Sequence, residues 1–234
     1  ETEYGGGEPL SRAREGMRTQ LFADLHLAVS LRSFRADKVS SFVKALLDLD
    51  RSAARHALAG FRERYPIVLS RDLATAKQWV RSRARGTERF GLLGSSKAMR
   101  LRPHAVEVRL AADPIHYFLS EPQDVRSSFY LEDCATEFQV QGLELDWACV
   151  AWDADLRMGA TQWSHHDFAG SKWKNIHSFE NQRNLKNAYR VLLTRARQGM
   201  AIFVPPGDRE DPTRAPAYYD KTFEYLRGLG LDVI

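Results

Sequence analysis

The sequence predicts an α/β protein of three layers, in which a mostly parallel β-sheet is covered by helices on both faces and preceded by a short helical segment. Three observations predict this fold class. The chain has 234 residues, of which 44% are apolar and 27% charged, so it can bury a full core and is not collagen-like, fibrous or disordered. From residue 66 onward, short apolar runs alternate with amphipathic segments. These runs lack polar alternation, which is typical of strands buried on both faces.

The helical segment is predicted from two stretches before residue 66. Residues 1–27 show little periodicity, and a short strand is expected over residues 26–31. From Ala36, apolar residues recur at intervals of three and four, which predicts a helix with one buried stripe. That stripe consists of Val39, Phe42, Val43, Leu46 and Leu47. A second helix over residues 52–64 ends before Tyr65-Pro66, because proline disfavours a helical residue in front of it.

The remaining elements alternate between strand and helix. Residues 67–69 are the first predicted strand, Ser70 or Asp72 can cap the helix that follows, and residues 90–93 are the next strand. The alternation continues with strands at 129–138, 147–152, 200–204 and 231–234 and helices at 179–196 and 217–227. This order predicts ligand binding at the carboxyl ends of the parallel strands. Residues 157–177 interrupt the alternation, which predicts a surface insertion.

Composition also bounds the location and redox state of the protein. The longest apolar run, residues 147–152, has six residues, whereas a bilayer span needs about 20. Cys134 and Cys149 lie in apolar contexts without CxxC spacing, which predicts two reduced, buried thiols. We therefore expect a cytoplasmic protein without a membrane partner.

Basic residues are concentrated in the middle of the chain. Residues 51–109 contain 14 basic and four acidic residues, a net charge of +10. Most of the basic residues are arginines, whose planar guanidinium groups match phosphates and gain affinity from counterion release. Charge alone leaves two interpretations open, a face that binds nucleic acid and a solvated basic helix face.

Two sequence features resemble ligand sites but lack essential residues. The stretch GLLGSSK at residues 91–97 follows a predicted strand, but Ser96 and Ala98 stand where a phosphate loop needs glycine and Ser/Thr. The sequence contains no GxxxxGK[ST] motif. His165-His166-Asp167 could contact a metal ion, but adjacent side chains diverge and no second cluster completes the coordination. We therefore predict no metal site.

The segment NLKNAYRVLLTRARQG at residues 184–199 predicts a helix with a clear core stripe. Its apolar residues fall within about 100° of one another on a helical wheel, and Arg190 and Arg195 project to either flank of them. An arginine on a flank can reach a ligand, but an arginine near the carboxyl end of a helix can also satisfy the last carbonyl groups. Geometry leaves both roles open for Arg195.

Three segments together resemble motifs of superfamily 1 helicases. TEFQVQGLELDW at residues 136–147 is similar to motif V, VLLTRAR at residues 191–197 to motif VI, and SLRS at residues 30–33 to motif IV. The segments occur in the right order. The resemblance is closest to the Schlafen group 3-like DNA/RNA helicase domain family and covers roughly residues 26–228. It implies a RecA-like second motor lobe of the P-loop NTPase type.

The resemblance also implies functional roles for individual residues. Arg195 would be the arginine finger, and Arg32 a second sensor of the γ-phosphate. ATP would contact Gln141, Gly142, Glu144 and Arg190. Single-stranded DNA or RNA would cross the carboxyl ends of the strands, at Ser70, Arg71, Ser95, Ser96 and Thr136. Trp79 is a candidate stacking platform, although an aromatic residue at helical spacing is more often part of the core.

The sequence departs from the family in having neither Walker motif. ATP and Mg²⁺ would therefore be held mainly by a first lobe outside this chain, supplied in cis or in trans. Gly5-Gly6-Gly7-Glu8 resembles a remnant of motif III, which predicts a division into residues 1–30 from the first lobe or a linker, residues 31–65 with motif IV and a helical pair, and residues 66–234 as the second lobe. The alternatives are an inactive nucleic-acid-binding or regulatory module and, more remotely, a metal-dependent nuclease acting through His165 to Asp167.

Overall fold

The computed structural model describes residues 34–234, with side chains from residue 37 onward. Within this part the chain forms six α-helices and nine β-strands. The helices are α1 (Phe34–Leu47), α2 (Arg51–Ala59), α3 (Leu73–Arg83), α4 (Pro114–Leu119), α5 (Phe179–Leu192) and α6 (Asp220–Gly228). The strands are β1 (Ile67–Ser70), β2 (Phe90–Gly94), β3 (Cys134–Ala135), β4 (Leu145–Ala151), β5 (Leu156–Met158), β6 (Trp163–Ala169), β7 (Lys172–Asn175), β8 (Ala196–Phe203) and β9 (Asp232–Val233).

Six strands form one sheet in the order β3-β2-β4-β8-β1-β9, and every neighbouring pair is parallel. The central pair, β4 and β8, runs in register from Leu145 opposite Ala196 to Ala151 opposite Phe203, with one irregularity near the start. The amino ends of the strands therefore share one side of the sheet, the amino edge, and the carboxyl ends share the other, the carboxyl edge. The prediction of a mostly parallel sheet is confirmed.

Helices cover both faces of this sheet because successive strand residues point to opposite sides. Val150 and Ile202 belong to one core cluster together with buried residues of α1, α2, α5 and α6. Cys149 and Ala201 belong to the other cluster, together with buried residues of α3. The result is a three-layer α/β/α arrangement of the RecA-like type, as the sequence predicted. No helix among residues 34–234 is long and apolar enough to cross a bilayer.

Local signals explain where the helices begin and end. Asp72, one of the two predicted caps, accepts a hydrogen bond from the Thr75 amide at 2.6 Å and starts α3. The α2 helix ends at Ala59, with Gly60 as its C-cap, and turns lead to Tyr65 instead of the continuous helix expected up to residue 64. Strands β1 and β2 lie within one residue of their predicted bounds.

The predicted insertion over residues 157–177 is a folded unit. Strands β5, β6 and β7 form an antiparallel sheet. Trp163 of this sheet is buried, stacks on Trp152 with ring centroids 5.5 Å apart, and donates a hydrogen bond to the Leu47 carbonyl at 2.9 Å. The surface insertion is thus attached to the rest of the fold, because Trp163 anchors this small sheet to the core and to α1.

Two other elements differ from the prediction. In place of the strand predicted over residues 129–138, the chain forms a 3₁₀ turn at Ser128–Tyr130 and a two-residue strand, β3. Helix α5 stops at Leu192, and β8 begins at Ala196 rather than near residue 200, because a turn at Leu193 and Thr194 lets the chain reverse into β8. The strand expected over residues 26–31 and the motif IV-like SLRS lie outside the described residues, and the division at residues 30 and 65 stays a prediction.

Candidate functional site

The five residues expected to contact nucleic acid lie at or just beyond strand ends on the carboxyl edge. Ser70 ends β1 and Arg71 follows it, Ser95 and Ser96 follow β2, and Thr136 follows β3. Because β1, β2 and β3 belong to one parallel sheet, their carboxyl ends face the same side. Sequence spacing could predict this convergence, since each residue follows an apolar run.

The hydroxyl groups at this edge are largely used within the fold. Ser70, Ser95 and Thr136 are buried. The Ser70 Oγ lies 3.0 Å from the Asp72 carbonyl oxygen, and the Ser95 Oγ accepts a hydrogen bond from the Lys97 amide at 3.1 Å. The amide and hydroxyl of Thr136 both donate to the side-chain oxygen of Gln139. These three residues therefore fix the turns after β1, β2 and β3.

Ser96 and Arg71 are half-buried and are also held by neighbours. The Ser96 amide and hydroxyl donate to the Glu137 carboxylate at 2.9 and 2.7 Å. The Arg71 guanidinium donates to the Pro205 carbonyl at 2.6 Å, pairs with Asp220 at 2.7 Å and lies over the Phe223 ring at 4.1 Å. A ligand strand would have to compete with Glu137 and Asp220 for these two groups.

A cleft of about 500 Å³ connects the predicted motif segments. One wall is the motif V-like segment, from Glu137 to Gln141, and the other is the face of α5 formed by Asn184, Asn187 and Val191. Ser96 also lines the cleft. Because α5 runs antiparallel to the sheet strands, the cleft extends from the carboxyl edge toward the end of α5 at the amino edge. The structure thus brings Ser96 and Gln141, predicted for different ligands, into one cleft.

Beyond the cleft, three of the residues predicted to contact ATP, Gly142, Glu144 and Arg190, lie toward the amino edge. Gly142 has φ +85°, and no atom lies within 4 Å of where a Cβ would stand. Glu144 is exposed and directly precedes β4. The Leu145 amide donates to the Arg195 carbonyl at 3.0 Å, which joins the end of the motif V-like segment to the motif VI-like turn. Arg190 lies in the last turn of α5 and donates to Asn187 at 2.5 Å.

The Arg195 side chain folds back on its own helix. The residue is 3% exposed, its Nε donates to the Val191 carbonyl at 3.2 Å, and its Nη2 lies 3.4 Å from the Thr194 hydroxyl. This is the helix-end contact that the sequence left open as an alternative. Among residues 34–234 no carboxylate lies within ion-pair distance of Arg195. The cation is thus shielded from solvent without an acidic partner in this part of the chain.

A buried carboxyl pair at the end of β4 was not predicted. The Asp153 carboxylate accepts hydrogen bonds from the Arg100 amide at 2.8 Å and the Tyr219 hydroxyl at 3.0 Å, and Asp155 accepts one from Tyr189 of α5 at 2.5 Å. Burial raises the pKa of Asp153 to about 6, and burial together with the Asp153 charge raises the pKa of Asp155 to about 7. The sequence signal that could have predicted this pair is the presence of two aspartates shortly after a buried strand.

Cations of the basic middle segment pair with acids from later in the chain. Lys97 pairs with Asp167 at 3.3 Å and Arg100 with Asp211 at 2.8 Å, while Arg71 pairs with Asp220 as described above. The +10 segment is therefore partly neutralised at the carboxyl edge. Counting charges along the sequence could not show this, because the acidic partners come from later segments.

The other residues considered as candidates are packed or hydrogen-bonded within the fold. Trp79 packs edge-to-face on Trp147 with centroids 5.8 Å apart. Cys134 and Cys149 are free and buried, and burial raises the pKa of both thiols. His166 is buried in β6 with its Nε2 2.7 Å from the Ser164 hydroxyl, and burial lowers its pKa to about 4. Within residues 34–234, no group of three or more His, Cys, Asp or Glu side chains is arranged to hold a metal ion. Arg32 lies outside the described residues.

Comparison with known proteins adds a family assignment to this geometry. No curated protein and no solved structure matches the chain. The family model described as "Schlafen group 3, DNA/RNA helicase domain" matches residues 1–206, which is most of the 234 residues and includes the motif V-like and motif VI-like segments. The chain therefore belongs to the Schlafen group 3 DNA/RNA helicase domain family.

Proposed function

We propose that this chain is the second, C-terminal motor lobe of an ATP-dependent DNA or RNA helicase or translocase. It would work with a first lobe that carries both Walker motifs, in cis or in trans. The observation that carries the proposal is the cleft between the motif V-like segment and α5. The motif V-like segment would link the two sites, because Thr136 follows β3 at the carboxyl edge whereas Gly142 and Glu144 precede β4 at the amino edge.

The residues at the amino edge suit a triphosphate held mainly by another lobe. Gly142 leaves open space for close approach to a ligand, and Arg195 has no carboxylate partner among residues 34–234. Hydrolysis of bound ATP would supply the free energy for movement. Arg195 would stabilise phosphate charge after releasing Val191 and Thr194, with Arg32 as a second phosphate contact and Gln141, Glu144 and Arg190 around the nucleotide. Mg²⁺ would be held mainly by the first lobe.

Single-stranded nucleic acid would contact the carboxyl edge. The buried hydroxyls of Ser70, Ser95 and Thr136 hold the turns after their strands in shape. Ser96 and Arg71 would then exchange their contacts with Glu137 and Asp220 for phosphate oxygens. Arginine is suited to this exchange because it stays charged and offers paired donors.

The test compares two neighbouring arginines in a protein that contains both lobes. Arg195→Gln keeps a donor for the Val191 carbonyl but removes the charge, and we expect it to lower nucleic-acid-stimulated ATP turnover about 10³-fold. Arg197→Gln is the matched control, since Arg197 is exposed and paired with Asp146 at 2.7 Å; it should keep turnover near the parent value. Equal turnover of the two variants would remove the finger role, provided both have the parent's melting temperature.

The second candidate function is an inactive module that binds nucleic acid or regulates a partner. The contacts of Arg195 with its own helix favour it, because an arginine that only caps α5 needs no nucleotide. In that case the two-lobe protein would bind single strands with a steep salt dependence and show no stimulated ATP turnover.

A further inference from the structure

The amino edge carries arginines that the fold does not neutralise. Arg81 and Arg83 end α3, and Arg85 lies in the loop before β2; all three are exposed. Among residues 34–234 none of them forms an ion pair with a carboxylate. At the carboxyl edge, by contrast, Arg71 and Arg100 each pair with an aspartate. These three arginines of the basic segment therefore lie on the side of the sheet opposite the predicted strand contacts.

An aromatic depression of about 400 Å³ lies beside these arginines. Phe90, Phe129 and Tyr130 line it, all half-buried, together with Arg81 and Glu88. Phe90 and Phe129 meet edge-to-face with centroids 5.1 Å apart, and because both are only half-buried, part of their surface can be reached by a ligand. Aromatic rings next to cations are the combination that binds stacked bases and their phosphates.

The walls of this depression are held in place by the fold. The Arg81 guanidinium donates to the Tyr130 carbonyl at 2.7 Å. The Arg89 guanidinium lies over the Phe129 ring at 4.4 Å and donates to the hydroxyls of Ser127 and Ser128. Glu88, the acid in the lining, accepts hydrogen bonds from the Arg85 amide and the Trp147 indole, both at 3.0 Å. Glu88 is thus used to shape the loop that presents Arg85.

We propose that the amino edge holds a second contact site for single-stranded nucleic acid, in which a base enters the depression lined by Phe90, Phe129 and Tyr130 while Arg83 and Arg85 contact the flanking phosphates. The site does not depend on ATP or on the cleft along α5. It lies at the opposite end of β2 from Ser95 and Ser96, about 17 Å away for a five-residue strand. A nucleic-acid strand bound at both edges would contact this lobe at two separate sites.

The test is equilibrium binding of fluorescent 12-mers of dT and U to the whole chain over a range of salt concentrations. Arg83→Gln combined with Arg85→Gln should weaken binding about tenfold and reduce the slope of log K against log salt by about 1.4, since about 0.7 counterions are released per phosphate contact on single strands. Lys44→Gln combined with Arg227→Gln removes the same charge from exposed residues of α1 and α6 that neither proposed strand contact includes, and should leave both quantities near the parent values. Equal loss in the two double variants would overturn the site.

A second comparison isolates the base. Phe129→Leu should reduce affinity about tenfold for the normal 12-mer but not for an abasic 12-mer of the same length. If Phe129→Leu weakens both oligonucleotides equally, or if a polyglutamate peptide competes as well as the 12-mer, no base pocket exists and the proposal is wrong. Because no ATP is present, this result is independent of the proposed motor function.

Discussion

At the scale of single residues, Gly142 is the position where backbone conformation and proposed function coincide. Its φ of +85° is in the region that favours glycine, and a Cβ would meet no neighbouring atom. A side chain there would therefore cost conformational energy without a steric clash. The open space beside the backbone is what a ligand needs for close approach.

We expect Gly142→Ala to lower the free energy of unfolding by about 1 kcal/mol, because alanine tolerates positive φ poorly. Gly170→Ala is the matched control, since Gly170 has φ +66° and equally open surroundings in the turn between β6 and β7. Urea denaturation should show a similar loss for both variants. In the two-lobe protein only Gly142→Ala should also reduce ATP turnover, and equal turnover of the two would argue against a nucleotide contact.

The carboxyl pair at the end of β4 predicts a pH dependence of stability. Burial raises the pKa of Asp155 to about 7, above its usual value in an unfolded chain. The stabilising protonated form is complete below about pH 4 and is lost as the pH rises through about 7. Asp155→Asn removes this titration while an amide still faces Tyr189, so the parent should lose stability relative to the variant between pH 4 and pH 8. Parallel urea-denaturation curves across that range would contradict the buried titration.

At the scale of elements, the Asp72 cap determines how the chain leaves β1. Its carboxylate accepts from the Thr75 amide at 2.6 Å, and hydrogen bonds from Thr75 hold the pKa of Asp72 below its usual value. The cap starts α3 directly after Ser70 and Arg71, so it fixes the first turn of the carboxyl edge.

We expect Asp72→Ala to lower the free energy of unfolding by about 1 kcal/mol at pH 7, and Asp72→Asn to cost much less because asparagine is an equally good cap. The stabilisation by the ionised cap is present at neutral pH and is lost as the pH falls through the lowered pKa. Chemical denaturation at pH 7 and pH 3 measures both effects. A cost of Asp72→Ala that stays unchanged at pH 3 would show that the carboxylate charge contributes nothing.

The elements that the sequence predicted well are those with sharp boundaries. Pro66 and Asp72 delimit β1 and the start of α3, and these boundaries lie close to where they were expected. The strand predicted over residues 129–138 was wrong, because the apolar composition of this segment does not reveal a turn that depends on tertiary packing. The end of α5 was missed because Thr194 and Arg195 continue the helical pattern of VLLTRAR, although the chain must reverse there to enter β8.

The candidate site was predictable in its position but not in its contacts. Strand ends predicted that Ser70, Ser96 and Thr136 would face one edge. Sequence could not show that Glu137 binds Ser96, because this contact joins residues that only the fold brings together. It also could not show that Arg195 turns back on Val191, because this contact depends on the rotamer of the Arg195 side chain. The cleft itself depends on the separation of α5 from the motif V-like segment, which no local pattern encodes.

At the scale of the whole molecule, the fold brings acidic residues next to basic residues that are far from them in the sequence. The +10 segment meets acids of the last third at the carboxyl edge, including Asp167, Asp211 and Asp220. Such partly exposed pairs contribute little to stability, but they lower the positive potential on that side. At the amino edge Arg81, Arg83 and Arg85 have no carboxylate partner among residues 34–234, which suits that side to contact with a polyanion.

In the proposed motor this chain provides one of two lobes that share an ATP site. The most direct measurement is ATP hydrolysis, with and without single-stranded nucleic acid, by this chain alone and by a protein in which it is joined to a Walker-bearing first lobe. We expect negligible turnover for the chain alone and strand-stimulated turnover for the two-lobe protein. Robust hydrolysis by the chain alone, abolished by Arg195→Gln, would contradict the shared site.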